Sequence, residues 1–287
     1  MSKVDASKRF SCDEIKRFRP EEMAQASVIL VLGKRFSGKS VLIKDLMYRF
    51  REKVDKGIIF SGTNDATAFY SSVFPDIYVH KKYDPERLER IILKQIKKTK
   101  EQLKRTNSKD ATPESTLFCL MDDVLADSGW KNDESMKDIF FNGRHYHFMF
   151  VLASQYPMAV PSDFRNNCDY TFIYSDKDIK NRKRLHENYC GMIPFESFNI
   201  LMDEVCQNFR CLVIDNRKRD LADWRDVVSW YKADQREEFR FGSEAFWSYH
   251  EKYMMDSEDE QDNSRYWKGV VNKYGNEKVV QKIRMID

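Results

Sequence analysis

The chain has 287 residues, of which 41% are hydrophobic and 33% charged, with 10 Gly and 7 Pro. This composition excludes collagen-like, low-complexity and wholly disordered chains, because enough apolar surface is available to offset the entropy of ordering. The longest apolar run, Phe148 to Ala153, is far shorter than a membrane span, and the first residues lack the apolar segment of a secretory signal. We therefore expect a cytosolic protein without a membrane span.

Charge is nearly balanced, with 49 Lys and Arg against 46 Asp and Glu. Any contact with nucleic acid must therefore come from local basic clusters. Three segments are candidates: the helical stretch between Lys81 and Arg105, with ten basic and four acidic residues, and the clusters 180–184 and 217–219. Segments of this kind are more often solvated surfaces than nucleic-acid contacts. The six cysteines form no CxxC pair, which predicts buried apolar residues rather than a zinc site or a disulfide framework.

Strand-like and helix-like segments alternate, which predicts an α/β fold with a mainly parallel central sheet flanked by helices. The predicted strands span 28–32, 57–61, 77–79, 117–121, 147–154, 169–174 and 210–214. The predicted helices include one marked by Leu42, Leu46 and Phe50, and others over 85–105, 133–142, 179–189 and 195–206. Asp84 is the expected N-cap of the long helix over 85–105. Gly143 is expected to end the helix over 133–142.

A full GxxxxGK[ST] motif follows the first buried strand and precedes the first amphipathic helix. Its residues are Gly33, Lys34, Arg35, Phe36, Ser37, Gly38, Lys39 and Ser40. The glycines allow successive backbone N–H groups to face an anion, and the start of the helix adds partial positive charge. Lys39 can reach the β and γ phosphates of ATP, and the Ser40 hydroxyl can bind Mg²⁺. The motif predicts a nucleotide-binding phosphate loop within a P-loop domain over 27–232, between a polar arm (1–26) and a partly ordered tail (233–287).

Polar residues at the ends of two later strands complete the predicted site. Asp122 and Asp123 follow the strand 117–121, and Gln155 follows the strand 147–154. The carboxyl ends of parallel strands meet at one edge of a sheet, where ligands bind. Asp122 is expected to hold Mg²⁺ through water, and Asp123 to accept a proton from the attacking water or to polarise it. Gln155 is expected to orient that water or to sense the γ phosphate.

The order of these motifs resembles that of the genome-packaging ATPases of nucleocytoplasmic large DNA viruses, in the FtsK/HerA-like branch of RecA-type P-loop motors. The resemblance is carried by GKRFSGKS, LFCLMDD, NGRHYHFMFVLASQYP, RNNCDYTFIY and CLVIDN, and it covers roughly residues 20 to 232. Many members of the wider superfamily have Asp-Glu where this chain has Asp122-Asp123. A bridging water could span the distance that the shorter Asp123 side chain leaves.

The resemblance implies an ATP-hydrolysing translocase that packages double-stranded viral DNA into a capsid as a homo-oligomeric ring. ATP and Mg²⁺ are the implied cofactors, and capsid or portal-like proteins the implied partners. The implied locations are the virus factory in the host cytoplasm and the virion. Two other interpretations share the phosphate loop: a nucleotide kinase, and a nucleotide-dependent interaction module. A GTPase-like switch is not favoured, because no guanine-specific NKxD motif is present.

An arginine supplied by the neighbouring subunit is expected to complete the site of such a ring. Arg144 precedes the strand that leads to Gln155, so it should lie at the edge of the sheet opposite its own nucleotide and could face the next subunit. The alternative is a structural ion pair with an acid such as Asp138. Arg165, Arg182 and Arg184 are rival candidates for the same role.

Overall fold

The computed structural model describes residues 15–107, 114–124, 128–218 and 223–254. The strands in these ranges are β1 (Val28–Leu32), β2 (Lys56–Ser61), β3 (Val79–His80), β4 (Leu117–Asp122), β5 (Phe148–Ser154), β6 (Tyr170–Tyr174), β7 (Arg210–Asp215) and β8 (Val228–Lys232). They form one sheet in the order β3-β2-β4-β5-β1-β6-β7-β8. The described pairs are parallel from β3 to β6, whereas β7 is antiparallel to both of its neighbours.

Eight α-helices lie within the described ranges. They are α1 (Lys39–Phe50), α2 (Asn64–Ser71), α3 (Pro85–Thr106), α4 (Glu134–Asn142), α5 (Ser162–Arg165), α6 (Ile179–Tyr189), α7 (Phe195–Ile200) and α8 (Glu244–Met254). Asp84 caps α3 by accepting the Arg87 N–H at 3.0 Å, as predicted. α7 continues into a π-helical turn over Leu201–Val205. The predicted mainly parallel sheet flanked by helices is confirmed.

β1 lies in the middle of the sheet, and all five of its side chains are buried. Its neighbours β5 and β6, and the next strand β4, are also buried along their whole length. Burial on both faces explains why these strands are continuous apolar runs without polar alternation. The register aligns their carboxyl ends, since Leu32 pairs with Ser154, and Asp122 with Ala153. Loops that follow these strands therefore meet at one edge.

The predicted elements differ from the structure mainly at their ends. Residues 76–78 form a 3-10 turn, so that β3 begins only at Val79. β5 begins at Phe148, because His147 has a left-handed backbone conformation with φ of 58° and ends a second 3-10 turn. α4 ends at Asn142, so Gly143 follows the end of the helix as predicted; its φ is −52°, and the chain continues into that turn. The helices α2, α5 and α8 and the strand β8 were not predicted from the sequence.

The chain divides by its contacts into two units, residues 1–243 and 244–287. Residues 16 to 18 pair with β8, since Phe18 N donates to Trp230 O at 2.8 Å and Trp230 N donates to Lys16 O at 3.1 Å. Five cysteines are buried thiols that form no disulfide, in agreement with their predicted role as buried apolar residues, and Cys12 lies outside the described residues. None of the described helices is both long enough and apolar enough to cross a membrane.

Candidate nucleotide-hydrolysis site

The phosphate loop connects β1 to α1 and depends on both of its glycines. A Cβ on Gly33 would lie 2.5 Å from Ser37 Oγ and 2.9 Å from Tyr174 Cβ, so no larger residue fits there. Gly38 has φ of 105°, a conformation that other residues rarely adopt, and α1 begins at the next residue. The loop therefore places the N-terminal turn of α1 at the carboxyl edge of the sheet. This is the geometry of an anion-binding site.

Lys39 lies across this loop. Its Nζ donates to the carbonyl oxygens of Gly33 at 2.7 Å and Lys34 at 3.0 Å. Burial lowers the pKa of Lys39, and the nearby carboxylates of Asp122 and Asp123 counteract part of that effect. The loop cation and the two acids predicted from the sequence thus share one electrostatic environment.

Asp122 ends β4 with its side chain buried, at 5% exposure. Burial raises the pKa of this carboxyl group, whereas a hydrogen bond from Tyr70 and the charge of Lys39 act in the opposite direction. Tyr70 Oη donates to Asp122 Oδ2 at 2.7 Å. The carboxylate that is predicted to hold Mg²⁺ is therefore held in place by a buried phenol.

Tyr70 was not among the site residues predicted from the sequence. It lies on α2, which was not predicted, and it is fully buried at 0% exposure. Burial raises its pKa well above the ordinary value of a tyrosine, and the charge of Asp122 adds to this shift. No motif identifies this residue, because its contact with Asp122 crosses 52 positions of sequence.

Asp123 and Gln155 form a second pair beside the first. Gln155 Nε2 donates to Asp123 Oδ1 at 2.8 Å, and the Asp123 side chain is exposed to solvent. Asp123 has a left-handed backbone conformation with φ of 57°. Gly62 makes room for it, since a Cβ there would lie 2.3 Å from the Asp123 carbonyl oxygen. The structure thus brings together the two residues that were predicted to handle the attacking water.

An open cleft of about 1190 Å³ is lined by Lys39, Ser40, Asp122, Asp123 and Gln155. One side consists of Thr63, Asp65, Ala66 and Phe69, at the start of α2 and along it. The other consists of Tyr174, Phe209 and residues 232–235. Phe36 and Phe209 both line this cleft as exposed aromatic side chains with left-handed backbone conformations, at φ of 61° and 63°. The cleft combines polar groups at the strand ends with apolar surface, as nucleotide sites do.

Arg144 lies away from this cleft, in the turn before β5 at the opposite edge of the sheet, as predicted. Its guanidinium forms an ion pair with Asp169 at 3.3 Å, and Asp169 also accepts the Val28 N–H at 2.8 Å. The alternative role of Arg144, a structural ion pair, is therefore made with Asp169. Asp138, the partner suggested from the sequence, is wrong, since it accepts a hydrogen bond from Asn142 instead. Arg144 remains 42% exposed, and its action on a neighbouring subunit stays a prediction.

The rival arginines have partners within the chain. Arg182 is buried and forms a bidentate ion pair with Asp203. Arg165 donates to the carbonyl oxygen of Val160 at 2.9 Å and to Asn188 Oδ1 at 2.8 Å. Arg184 is exposed and lies over the ring of Tyr156, with its Cζ 5.9 Å from the ring centroid. Of the three, Arg184 is the most accessible.

The chain is similar to proteins of large DNA viruses. A family model described as "Poxvirus A32 protein" matches residues 15–237. Protein L437 of Acanthamoeba polyphaga mimivirus is 35% identical over 246 residues, which cover 84% of this chain and 84% of the relative. Protein 015R of Frog virus 3 (isolate Goorha) is 32% identical over 223 residues, 77% of this chain. The matched region spans 66% of the length of that relative.

Solved structures show a similar fold. The genome packaging NTPase B204 from Sulfolobus turreted icosahedral virus 2, in complex with ATP-gammaS, aligns over 73% of this chain and 98% of its own length, with a TM-score of 0.51 and 14% identity. Its complex with AMPPCP aligns over 74% of this chain, also with a TM-score of 0.51. At this identity the likeness establishes the P-loop fold.

Proposed function

We propose that this chain, which belongs to the Poxvirus A32 protein family and is a packaging ATPase of that family, uses ATP hydrolysis to drive double-stranded DNA into a viral capsid. The observation that carries the proposal is the convergence of the phosphate loop, Asp122 and the Asp123–Gln155 pair in one cleft, where buried Tyr70 holds the Asp122 carboxylate from behind. A fold alone would not indicate hydrolysis, but this set of groups supplies what phosphoryl transfer to water needs.

The phosphate loop binds ATP in this proposal. Backbone N–H groups of residues 33–40 surround the β phosphate, and Lys39 exchanges its contacts with the loop carbonyls for the β and γ phosphates. The exposed rings of Phe36 and Phe209 provide apolar surface at the same cleft. Nucleotide binding thus uses groups that are close together before ATP arrives.

Mg²⁺ fits the oxygen groups of Ser40 and Asp122. Within the described part of the chain, no group of three or more His, Cys, Asp or Glu side chains could hold a metal by itself. This is expected for Mg²⁺, which keeps several waters and binds through one or two protein groups and the phosphates of its nucleotide. Ser40 would bind the ion directly and Asp122 through water. The ion would neutralise charge that develops on the phosphates.

Asp123 and Gln155 position the attacking water. The Gln155 side chain holds Oδ1 of Asp123, which leaves Oδ2 to accept a hydrogen bond from water. The water oxygen then bonds to the γ phosphorus while the bond to the bridging oxygen of ADP breaks, and the proton of the water passes to Asp123. The Gln155 carbonyl oxygen can accept the second hydrogen bond of the same water.

A basic surface on α3 supports DNA as the polymer that is moved. Lys94 and Lys98 are exposed, lie one turn apart on the same face of the helix, and both lower the pKa of Lys56 at the start of β2. Burial and the charge of Lys98 lower the pKa of Lys56 to about 8, and Asp55 is the acid that acts in the opposite direction. The positive charge of three lysines is poorly compensated by one nearby acid, and a bound phosphate group would reduce the repulsion between the lysines.

The proposal includes a ring of identical subunits, in which Arg144 contacts the nucleotide of the next subunit. It also includes docking of the ring on capsid or portal-like proteins, and action in the virus factory of the host cytoplasm with retention in the virion. The exposure of Arg144 at the edge opposite its own cleft supports the ring.

One experiment tests the proposal. ATP hydrolysis is measured with and without duplex DNA, together with mass in solution and displacement of a third strand from a DNA triplex. We expect DNA to stimulate hydrolysis in an oligomer that displaces the strand, and Lys39→Ala to abolish both activities. Transfer of phosphate to a small acceptor, without stimulation by DNA, would favour a nucleotide kinase instead.

A further inference from the structure

The strand order gives the nucleotide a direction in the cleft. In the sheet, β5 and β4 lie on one side of β1, and β6, β7 and β8 lie on the other. Asp123 and Gln155, the pair proposed to position water, follow β4 and β5. When the phosphate loop after β1 holds a triphosphate with its γ phosphate at this pair, the nucleoside at the other end of the triphosphate extends towards β6–β8.

An aromatic surface lies at the β6–β8 end of the cleft. Tyr174 ends β6, and its Oη donates to the carbonyl oxygen of Gly38 at 3.1 Å. Phe209 precedes β7, and because β7 is antiparallel to β6, its start lies at the same edge of the sheet. A Cβ on Gly38 would lie 3.4 Å from Phe209 Cδ1, which places this ring beside the phosphate loop.

The Phe209 ring is available to a ligand. It lines the cleft and is 63% exposed, on a backbone with φ of 63°. Left-handed backbone is strained for a bulky residue, and strain of this kind clusters at ligand sites. An exposed aromatic ring next to a phosphate site offers a face on which a base can stack.

The chain after β8 closes the same end of the cleft. Residues 233–236, the clamped segment, follow the last residue of β8, and 233–235 line the cleft. Asp45 of α1, which is fully buried, holds the segment at two points. Arg236 Nε donates to Asp45 Oδ1 at 2.7 Å, and Asp234 N donates to Asp45 Oδ2 at 3.3 Å.

A second set of ion pairs fixes the clamped segment. The Asp234 carboxylate accepts from Arg236 Nη2 and from Arg49 Nη2 of α1, both at 2.9 Å. The Arg236 guanidinium also lies over the ring of Tyr48, with its Cζ 4.3 Å from the centroid. Because α1 begins at the phosphate loop, these contacts hold the clamped segment at a set distance from the bound phosphates.

We propose that Phe209 and the clamped segment form a nucleobase subsite, in which the base stacks on Phe209 and Gln235 reads adenine. Gln235 is exposed and lines the cleft. Its amide has a donor and an acceptor side by side, which match N7 and the N6 amino group of adenine. Guanine has two acceptors at this edge, so it cannot form the same pair of bonds. Asp45 and Arg236 are positioning residues, because they hold the segment and do not line the cleft.

The inference rests on the proposed function, since the base in question is that of ATP. Its test compares the affinities of the full chain for ATP, GTP and inorganic tripolyphosphate, each with Mg²⁺, by titration calorimetry. Tripolyphosphate measures the phosphate loop without a base. We expect the unmodified protein to bind ATP more tightly than GTP, and GTP more tightly than tripolyphosphate.

Gln235→Ala should lose at least about 5-fold in affinity for ATP, the lower end for an amide that pairs with adenine. Affinity for GTP and tripolyphosphate should change less than about 2-fold, because neither forms this pair. Gln207→Ala is the matched control, since Gln207 is also exposed but donates to the Asp203 carbonyl oxygen and does not line the cleft. It should leave all three affinities unchanged.

Phe209→Gly should weaken ATP and GTP alike, by at least about 5-fold, because stacking does not depend on the identity of the base. Glycine adopts the left-handed backbone of this position without strain, so the variant removes only the ring. Affinity for tripolyphosphate should stay the same.

A second pair of variants tests the clamp. Arg236→Gln and Tyr231→Phe each remove a donor from Asp45, but only Arg236 belongs to the clamped segment. We expect Arg236→Gln to lower the ratio of ATP affinity to tripolyphosphate affinity. Tyr231→Phe should lower the temperature of thermal unfolding and leave this ratio unchanged.

The outcomes are distinguishable. The inference is overturned if Gln235→Ala keeps the preference for ATP over GTP, or if it weakens tripolyphosphate as much as ATP. It is also overturned if the unmodified protein binds ATP no more tightly than tripolyphosphate, a result that leaves the phosphate loop intact. Failure of the unmodified protein to bind either compound would overturn the proposed function itself, and the inference with it. Thermal unfolding of each variant establishes that the compared proteins are folded.

Discussion

Gln155 Nε2 lies 2.8 Å from Asp123 Oδ1, although the two residues are 32 positions apart in the sequence. Each follows the carboxyl end of a different parallel strand, and the sheet register makes those ends adjacent. The amide holds one carboxylate oxygen and leaves the other available to water. The predictions below begin with this pair.

Asp123→Asn should lower the rate of ATP hydrolysis at least about 10²-fold while Mg·ATP affinity stays near that of the unmodified protein, because a base is lost without a phosphate contact. Asn tolerates the left-handed conformation that Asp123 adopts at φ of 57°, so this variant tests charge without backbone strain. Single-turnover hydrolysis and equilibrium binding measure the two quantities. A collapse of nucleotide affinity would make Asp123 a metal-site residue.

Gln155→Glu should reduce hydrolysis more than Gln155→Ala does. The new carboxylate would meet Asp123 at hydrogen-bond distance, and two carboxylates so close cannot both ionise readily. The rate of the Glu variant should therefore fall further as pH rises, since its shared proton is lost, whereas the Ala variant should lack this additional fall. The hydrolysis rates of the two variants are compared over pH 5.5 to 9. Identical pH profiles would place residue 155 outside the water site.

Lys39→Ala should abolish hydrolysis and weaken ATP binding, because the triphosphate loses the cation of the loop. Lys137→Ala is the control, since Lys137 lies on α4 and pairs with the exposed Glu134 at 2.6 Å. Nucleotide binding and phosphate release are the measurements. Turnover in Lys39→Ala close to that of the control would remove the basis of the phosphate-loop assignment.

Lys94→Gln with Lys98→Gln should weaken duplex DNA binding and reduce its dependence on salt. Each phosphate contact contributes about −0.9 to the slope of log K against log[salt], so the loss of two contacts should change the slope by about 1.8. Lys137→Gln should leave the slope unchanged. Equal slopes for all three proteins would locate the DNA surface elsewhere, and a preference for one sequence at fixed salt would contradict translocation.

The pH dependence of DNA binding should reveal Lys56. Its pKa in the protein is about 8, against an ordinary value of 10.5, so it loses its proton as pH rises from 7 to 9. A phosphate beside it would favour the charged form, and DNA binding should take up protons and weaken over this range. Lys56→Gln should remove this component. Binding titrations at pH 7 and pH 9 measure the effect, and an unchanged pH dependence in the variant would contradict it.

Arg144→Ala should inhibit rings that also contain unmodified subunits, since one arginine in trans contributes about 10³ to 10⁵ in turnover. Mixed rings of Arg144→Ala and Lys39→Ala should recover some activity at interfaces where an intact loop meets an intact arginine. Asp169→Asn provides the comparison, because it disrupts the ion pair and leaves the guanidinium. If mixed rings form but recover no hydrolysis, Arg144 has only the structural role of its ion pair with Asp169.

The sequence by itself determined the phosphate loop, the central strands and the polar residues that end them. These features are local: β1 is a continuous apolar run, the glycines of the loop are needed at fixed positions, and Asp84 and Pro85 begin α3 with a cap. Local propensity and hydrophobic pattern are sufficient where a segment is strongly apolar or carries a specific backbone requirement.

Only the tertiary structure decided which side chains meet. The bond from Tyr70 to Asp122 spans 52 positions and that from Gln155 to Asp123 spans 32, and the partner of Arg144 is Asp169 rather than an acid on the adjacent helix. α2 and β8 escaped prediction because one is short and the other mixes buried with part-exposed residues. Such contacts follow from the register and crossovers of the sheet, which no local pattern of residues encodes.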